Sequence, residues 1–336
     1  MLKKLTINDV AREAKVSKGT VSRILNNSRL VKTETRNRVL NIIEKLNYEP
    51  NYLAQSLSTK RTYTLGLVLE DISNPFFSAI AKGVDDVARK NNFGVLLYST
   101  NYDEIIEKQY ILSSFKRRID GIIITPVKPE SKNVKLISSK NVPFILINCW
   151  SHKDGISYIV SDNFKGAYIA VDYLVKLGHK RIAYIGGPNI QGCNERFRGY
   201  KKAIEDGGIS FLKSLVTGPS VSSYDGYVQT KKLLKANKEI TAIFAINDFV
   251  AIGVMKAIFD MHLKVPDDIS IIGYDDIDIC SMLRVPLTTV NQLEDQQGTI
   301  ACEQIIKLIE TKDLYNPIKM VIEPRLVIRE SCKKIN

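Results

Sequence analysis

From residue 63 to the C-terminus, short apolar runs alternate with segments of helical period. The runs fall at Leu65–Leu69, Val95–Tyr98, Gly121–Thr125, Phe144–Ile147, Ile182–Ile185, Ala242–Ile246, Ile269–Gly273 and Thr288–Asn291. Helical spacing of apolar residues lies between them, at Phe76–Asn92, Glu104–Phe115, Phe164–Leu177, Arg196–Asp206, Phe249–Phe259 and Gln296–Ile309. A strand that is apolar at every position is buried on both faces. Such strands, separated by helices, predict parallel sheets covered on both sides. The span is long enough for two sheets, and a strand-turn-helix unit opens each half, at Leu65 and again at Ile182.

Residues 1–50 have a different rhythm. Thr6 and Asp9 carry a capping-box spacing before Val10, Ala11 and Ala14, which form a narrow apolar stripe. Ser17 is placed to cap a second helix running to about Asn26, with Val21, Ile24 and Leu25 as its buried face. A third helix is predicted from Thr33 to Leu46, with Val39, Ile42, Ile43 and Leu46 pointing inward. Helix, short turn, helix, each with one apolar stripe, is the helix-turn-helix layout. Pro50 closes this segment, and 51–62 holds a short helical stretch followed by a polar run.

Charge separates the same regions. Residues 1–61 carry 13 Lys and Arg against 5 Asp and Glu, and the remainder 35 against 31, for a net +12. A basic head on a near-neutral body points to a polyanion, nucleic acid before a membrane surface. Several classes are excluded as expectations. The five scattered cysteines form no C-x-x-C pair and fit a reducing, cytoplasmic setting. No apolar region follows the N-terminus, and no run approaches a membrane span. No phosphate loop, dinucleotide fingerprint or nucleophile elbow occurs, and His152, His179 and His262 lack zinc-site spacing. No catalytic residue, metal or cofactor is therefore expected.

With Val21, Ile24 and Leu25 buried, Gly19, Ser22, Arg23 and Asn26 fall on the opposite face of the second helix, and Lys18 sits at its N-terminus. Arg23 suits bidentate contact with guanine O6 and N7. Ser17, Thr20, Ser22 and Asn26 suit phosphate oxygens. The stretch Thr6-Ile7-Asn8-Asp9-Val10-Ala11 through Ser17-Lys18-Gly19-Thr20-Val21-Ser22-Arg23 resembles the N-terminal signature of the LacI/GalR family of bacterial repressors. The resemblance implies that sequence choice falls largely on Lys18, Gly19 and Arg23. It also implies that Asn51, Ala54 and Leu57 belong to a hinge helix, Leu57 wedging into the minor groove. Packing of Leu53 and Leu57 on the core is the alternative. One departure is Lys15, where the family usually has Gly. A turn there with positive φ would strain Lys.

The resemblance extends through Asp71-Ile72-Ser73-Asn74-Pro75-Phe76-Phe77, Gly178-His179, Gly199-Tyr200, Ile272-Gly273-Tyr274-Asp275-Asp276 and Pro286-Leu287-Thr288-Thr289-Val290. The fold it implies is α/β: an N-terminal three-helix helix-turn-helix domain (1–50), a hinge (51–62), and a two-lobed periplasmic-binding-protein-like core of parallel sheets (63–336). Lobe one is expected at about 63–161 and 292–323, and lobe two at about 162–291 and 324–336. A cleft at the carboxyl ends of the strands follows. Matching positions suggest its lining: Phe76, Phe77, Asn148, Trp150, Arg196, Asn247, Asp275 and Gln292, with Asp162 weaker and Val221 where several relatives carry an aromatic. Each has a structural alternative, core packing for the two Phe and a loop cap for Asp275. The implied protein is a homodimeric, ligand-responsive regulator that binds double-stranded operator DNA and a small effector, a sugar or sugar derivative. It makes no membrane contact. Rival readings are a sugar transport protein, an enzyme on a two-lobed scaffold, and a regulator whose effector is a phosphorylated carrier protein or a purine.

Overall fold

The computed structural model describes residues 5–25, 30–48, 61–186, 191–220, 222–311 and 316–335. Among the expected positions, Asn26, Asn51, Ala54, Leu57 and Val221 lie outside the described residues. The chain forms two compact units, Met1–Thr62 and Tyr63–Asn336.

The first unit contains α1 (Ile7–Glu13), α2 (Lys18–Leu25) and α3 (Thr33–Lys45). Asp9 Oδ2 accepts from the Thr6 amide at 3.0 Å and from its hydroxyl at 2.8 Å, which closes the start of α1. Ser17 Oγ accepts from the Thr20 amide at 3.1 Å and so opens α2. Val10, Ala11, Ala14, Val21, Ile24, Val39 and Tyr48 make the buried core, with Leu25, Ile42, Ile43 and Leu46 packed against it. Three short helices are unstable alone, so this shared core holds them.

Between α1 and α2 the chain turns through Lys15 at φ +52°. The turn is closed by the Val16 amide donating to Ala11 O at 3.0 Å. Lys therefore occupies a left-handed position that glycine would fill without a Cβ penalty.

The second unit alternates strands and helices. Its strands are β1 (Thr64–Leu69), β2 (Gly94–Ser99), β3 (Gly121–Ile124), β4 (Phe144–Ile147), β5 (Ser157–Ser161), β6 (Ile182–Ile185), β7 (Ala242–Ala245), β8 (Ser270–Ile272), β9 (Thr289–Asn291), β10 (Lys319–Ile322) and β11 (Arg325–Val327). Its helices are α4 (Pro75–Lys90), α5 (Glu104–Lys116), α6 (Lys132–Ser138), α7 (Asn163–Lys176), α8 (Gln191–Asp206), α9 (Ser223–Ala236), α10 (Asp248–Asp260) and α11 (Glu294–Thr311).

One sheet has the order β2-β1-β3-β4-β5-β10, parallel throughout. The order reverses beside β1, the position at which an open parallel sheet can hold a ligand past the carboxyl ends of β1 and β3. The second sheet runs β6-β7-β8 in parallel, extended by bridges from Tyr184 to Val216 and from Ile272 to Thr288. There the order reverses beside β6. β9 and β11 pair antiparallel. The apolar runs of β1, β3, β6 and β7 are buried along nearly their whole length, as double-sided cover requires.

Two helices escaped the periodicity, α6 and α9. α9 is largely polar, but the capping box of Ser222 and Asp225 marks its start, the Asp225 amide donating to Ser222 Oγ at 3.1 Å. β5, β10 and β11 also escaped, since each mixes polar with apolar residues and forms no continuous apolar run.

Lys15→Gly should raise the stability of the N-terminal unit by about 1 kcal/mol, since it removes the left-handed penalty without touching a buried side chain. Thermal unfolding followed in residues 1–62 checks this. An unchanged or lower midpoint would mean that the turn bears no strain.

Candidate functional site

Two polar surfaces stand out, one on each unit. On α2, Val21 and Ile24 are buried while Ser17, Lys18, Gly19 and Arg23 are exposed, and Thr20 and Ser22 are half-buried. Thr6 is exposed at the start of α1. Arg23 makes no ion pair among the described residues. A Cβ at Gly19 would meet only Ser17 Oγ, at an ordinary 3.7 Å. Packing therefore does not demand glycine there, and a side chain would project from the exposed face.

The second surface is built where strands of the core unit end. Gly199 brings α8 against α7: a Cβ there would collide with the carbonyl of Phe164. One turn earlier on α8, Arg196 is thereby carried into the interior, 6% exposed. Its Nε donates to Asn163 Oδ1 at 2.7 Å, and its Nη1 to Ile246 O at 2.6 Å. The guanidinium lies 3.8 Å from the Tyr274 ring centroid and 3.6 Å from Asp275 Oδ1. Asp275 Oδ1 also accepts from Gln292 Nε2 at 2.7 Å. Burial pushes the Asp275 carboxyl above the usual carboxylate range, while Arg196 pulls it back. Arg196, Asp275 and Gln292, far apart in sequence, thus form one buried chain.

The remaining expected residues fare differently. Asn247 caps α10, its Oδ1 accepting from the Val250 amide at 2.8 Å. Asn148 and Trp150 follow β4 beside a cavity of about 220 Å³, which Ser161, Asp162 and Gln191 also line. The Trp150 amide donates to Gln191 Oε1 at 2.8 Å, a bond between the end of β4 and the start of α8. Among the described residues, Asn148 Oδ1 is buried without a partner. Asp162 caps α7 by accepting from the Lys165 amide at 2.9 Å. Phe76 and Phe77 are packed edge to face and sit in the core of the first sheet, each 3% exposed. In this structure neither ring offers an open plate, which favours their packing role. His179 is structural: Nε2 faces Lys333 O at 3.1 Å and must donate, so Nδ1 accepts from Thr241 Oγ1 at 2.9 Å.

Several groups at the strand ends were not anticipated. Glu70, directly after β1, is buried, as are Asn163, Asp248 and Glu294. Asp248 Oδ2 accepts from the amides of Asp276 and Ile277 at 2.6 and 3.0 Å, and Oδ1 from Thr289 Oγ1 at 2.6 Å. That network holds Asp275 at φ +123° and Asp276 at φ +66°. Asn101, Tyr102, Asn148 and Leu293 also take positive φ just past strands. Positive φ also occurs at helix ends, as at Asn92 and Arg118, so it is the burial of the polar side chains at the strand ends that sets this region apart. The sequence signal was available, since each of these residues lies within a few positions of the end of an apolar run. No group of metal-ligating side chains occurs among the described residues.

The N-terminal region, residues 6–51, matches the family model of bacterial regulatory proteins, lacI family, and residues 171–332 match a periplasmic binding protein-like domain. The chain is 35% identical over 329 residues to the HTH-type transcriptional regulator RegA of Clostridium saccharobutylicum, covering 97% of this chain and 98% of that protein. It is 35% identical to the ribose operon repressor of Halalkalibacterium halodurans, covering 98% and 97%. The fold matches the lac repressor dimer bound to operator and the anti-inducer ONPF with TM-score 0.87 and 27% identity, covering 98% of this chain and 100% of that one.

Burial raises Glu70 from an ordinary 4.5 to about 8, with Glu107 and Asp71 adding to the rise. Burial likewise raises Glu294 to about 8, its own amide opposing and Asp275, Asp295 and Asp248 adding. A raised native value means stability that is complete below the unfolded value and lost as pH climbs through the native one. Glu70→Gln and Glu294→Gln should therefore melt like the parent at pH 4.5 and at higher temperature than the parent at pH 9. Equal melting at both pH values would show that neither charge is felt by the fold.

Proposed function

The chain belongs to the lacI family of bacterial regulatory proteins, and from that membership we propose that it represses sugar-utilisation genes, binding a near-palindromic operator as a homodimer whose DNA affinity follows occupancy of the core cleft. The observation that carries this reading is the exposed face of α2. Lys18, Gly19 and Arg23 are free of packing duties on a basic unit that is separate from the core. A recognition helix enters the major groove by such a face, and a two-fold dimer matches a palindromic site.

Similarity to a ribose operon repressor supports a sugar-class effector for this chain. The cleft chemistry agrees. Arg196, Asp275, Gln292 and Asn148 supply fixed donors and acceptors of the kind that read hydroxyl groups. Three passages of chain link the two lobes: Ser161 to Asn163, Asn291 to Glu294, and Ile322 to Arg325. A ligand gripped from both sides favours one lobe arrangement over another. It shifts DNA affinity only by the difference in its affinity for the two arrangements. Residues 51–62 join the two units and would transmit that difference. The five free cysteines fit a cytoplasmic protein, and among the described residues no helix is long and apolar enough to cross a membrane. A regulator, rather than an enzyme, is the role these features suit.

Genomic DNA fragments selected by the full-length protein at physiological salt should share a short inverted repeat. On that site Arg23→Ala should cost about 1–3 kcal/mol and relax one base-pair preference. Recovery of unrelated fragments, or an equal loss on random DNA, would leave α2 as a phosphate-binding helix without sequence choice. Asp275→Ala should retain operator binding and lose the response to the effector. A mutant that responds at parental concentrations would move the effector site elsewhere.

A further inference from the structure

The exposed face of α2 has a bare centre. A helix completes a turn in about 3.6 residues. With Val21, Ile24 and Leu25 turned to the core, Gly19 and Arg23 therefore lie one turn apart on the line farthest from it, and both are exposed. A partner that meets α2 from outside meets these two residues first. One carries a guanidinium and the other carries no side chain.

A glycine inside a helix costs stability, because it gives up more chain entropy than any other residue. It ordinarily answers to a turn, a close contact or a helix end, and Gly19 answers to none of them. Positive φ among the described glycines belongs to Gly155, Gly178 and Gly208, and not to Gly19. Among the described residues a Cβ at 19 would find only Ser17 Oγ, at 3.7 Å. At Gly83, Gly199 and Gly253, by contrast, a Cβ would come within 2.3 Å of a main-chain oxygen. The helix does not end here either, since it continues to Leu25. No feature of the folded unit calls for glycine at this position.

The neighbouring side chains leave the gap open. Ser17 Oγ accepts from the Thr20 amide and lies 2.9 Å from Thr20 Oγ1, so the two hydroxyls are held to each other. A helical side chain leans over the turn that precedes it. Arg23 is thus aimed back along the line of Gly19, where no Cβ obstructs it.

Base pairs are told apart by side chains that hydrogen-bond to or pack on their groove edges, and the first turns of a recognition helix supply them. Resting on the reading of α2 as that helix, we propose that Gly19 makes this regulator indifferent to one base pair in each operator half-site. Arg23 fixes a nearby pair, and the pair that faces Gly19 is met by main chain alone. The protein then accepts a set of operators that differ at that pair and holds them with similar affinity. A side chain at 19 would remove this breadth.

The test uses the full-length protein and a library of inverted repeats randomised at every position, the bound fragments being counted by sequencing. In the parent's selected site, one position per half-site should show all four bases within about threefold, less than one hydrogen bond is worth. Gly19→Gln should choose adenine at that position by about tenfold or more, since a glutamine amide pairs with adenine N6 and N7. The position that Arg23→Ala relaxes should stay as in the parent. Gly19→Ala should melt no lower than the parent and bind its operators within about threefold. Absence of any shared repeat overturns the recognition-helix reading, and this proposal with it. A repeat in which every position is fixed overturns the proposal alone and leaves the operator-binding regulator standing. So does lost operator binding in a Gly19→Ala protein that melts like the parent, because glycine would then serve close approach to the DNA. A Gln variant with the parent's profile overturns it as well, by showing that position 19 faces no base.

Discussion

A guanidinium buried away from water must be surrounded, and the second lobe is arranged around that requirement at Arg196. The start of α7 contributes Asn163, the end of β7 a main-chain carbonyl, and the segment after β8 both the Tyr274 ring and Asp275. These groups converge only if α8 lies against α7 at backbone distance, which Gly199 permits. They also require the 275–276 segment to hold positive φ, which Asp248 enforces from the first turn of α10. The polar cleft is therefore a consequence of lobe packing as much as of the residues that line it.

The switch points of the two sheets carry different polar groups. The switch point of one carries Glu70, and that of the other carries Arg196 with its carboxylate. A molecule held between them would meet unlike groups on its two sides. A regulator needs this property, because a ligand that contacted one lobe alone would bind open and closed forms equally and shift neither.

Much of this was legible in the residues. Continuous apolar runs were enough to locate β1, β3, β6 and β7, because burial on both faces leaves no polar interruption. α2 could be read face by face because Val21 and Ile24 determine what lies opposite. Lys15 was legible as a condition, and the turn meets it. Burial of polar side chains was not legible. Glu70 and Glu294 look like ordinary solvated loop residues until the sheets are assembled, and Phe76 and Phe77 look available until α4 is seen against α11. The pairing of Asp275 with Gln292 depends on β9 lying beside the strand-end loop, as the Asp275–Asn291 bridge records. No local period carries that information.

The first sheet has an edge supplied from far along the chain. β10 pairs with β5, and α11 packs its Cys302, Ile305 and Ile309 into the core that α4 and β1 began. A ribosome that has completed β5 must still synthesise about 130 residues before α11 begins. At usual elongation rates that is of the order of ten seconds. For that interval the apolar underside of the nascent lobe has the cover of α4 but not that of α11, while the basic N-terminal unit can already fold. Newly made chains therefore pass through a stage with a finished DNA-binding head and an unfinished sensor. It is at this stage that a holding chaperone would have something to grip.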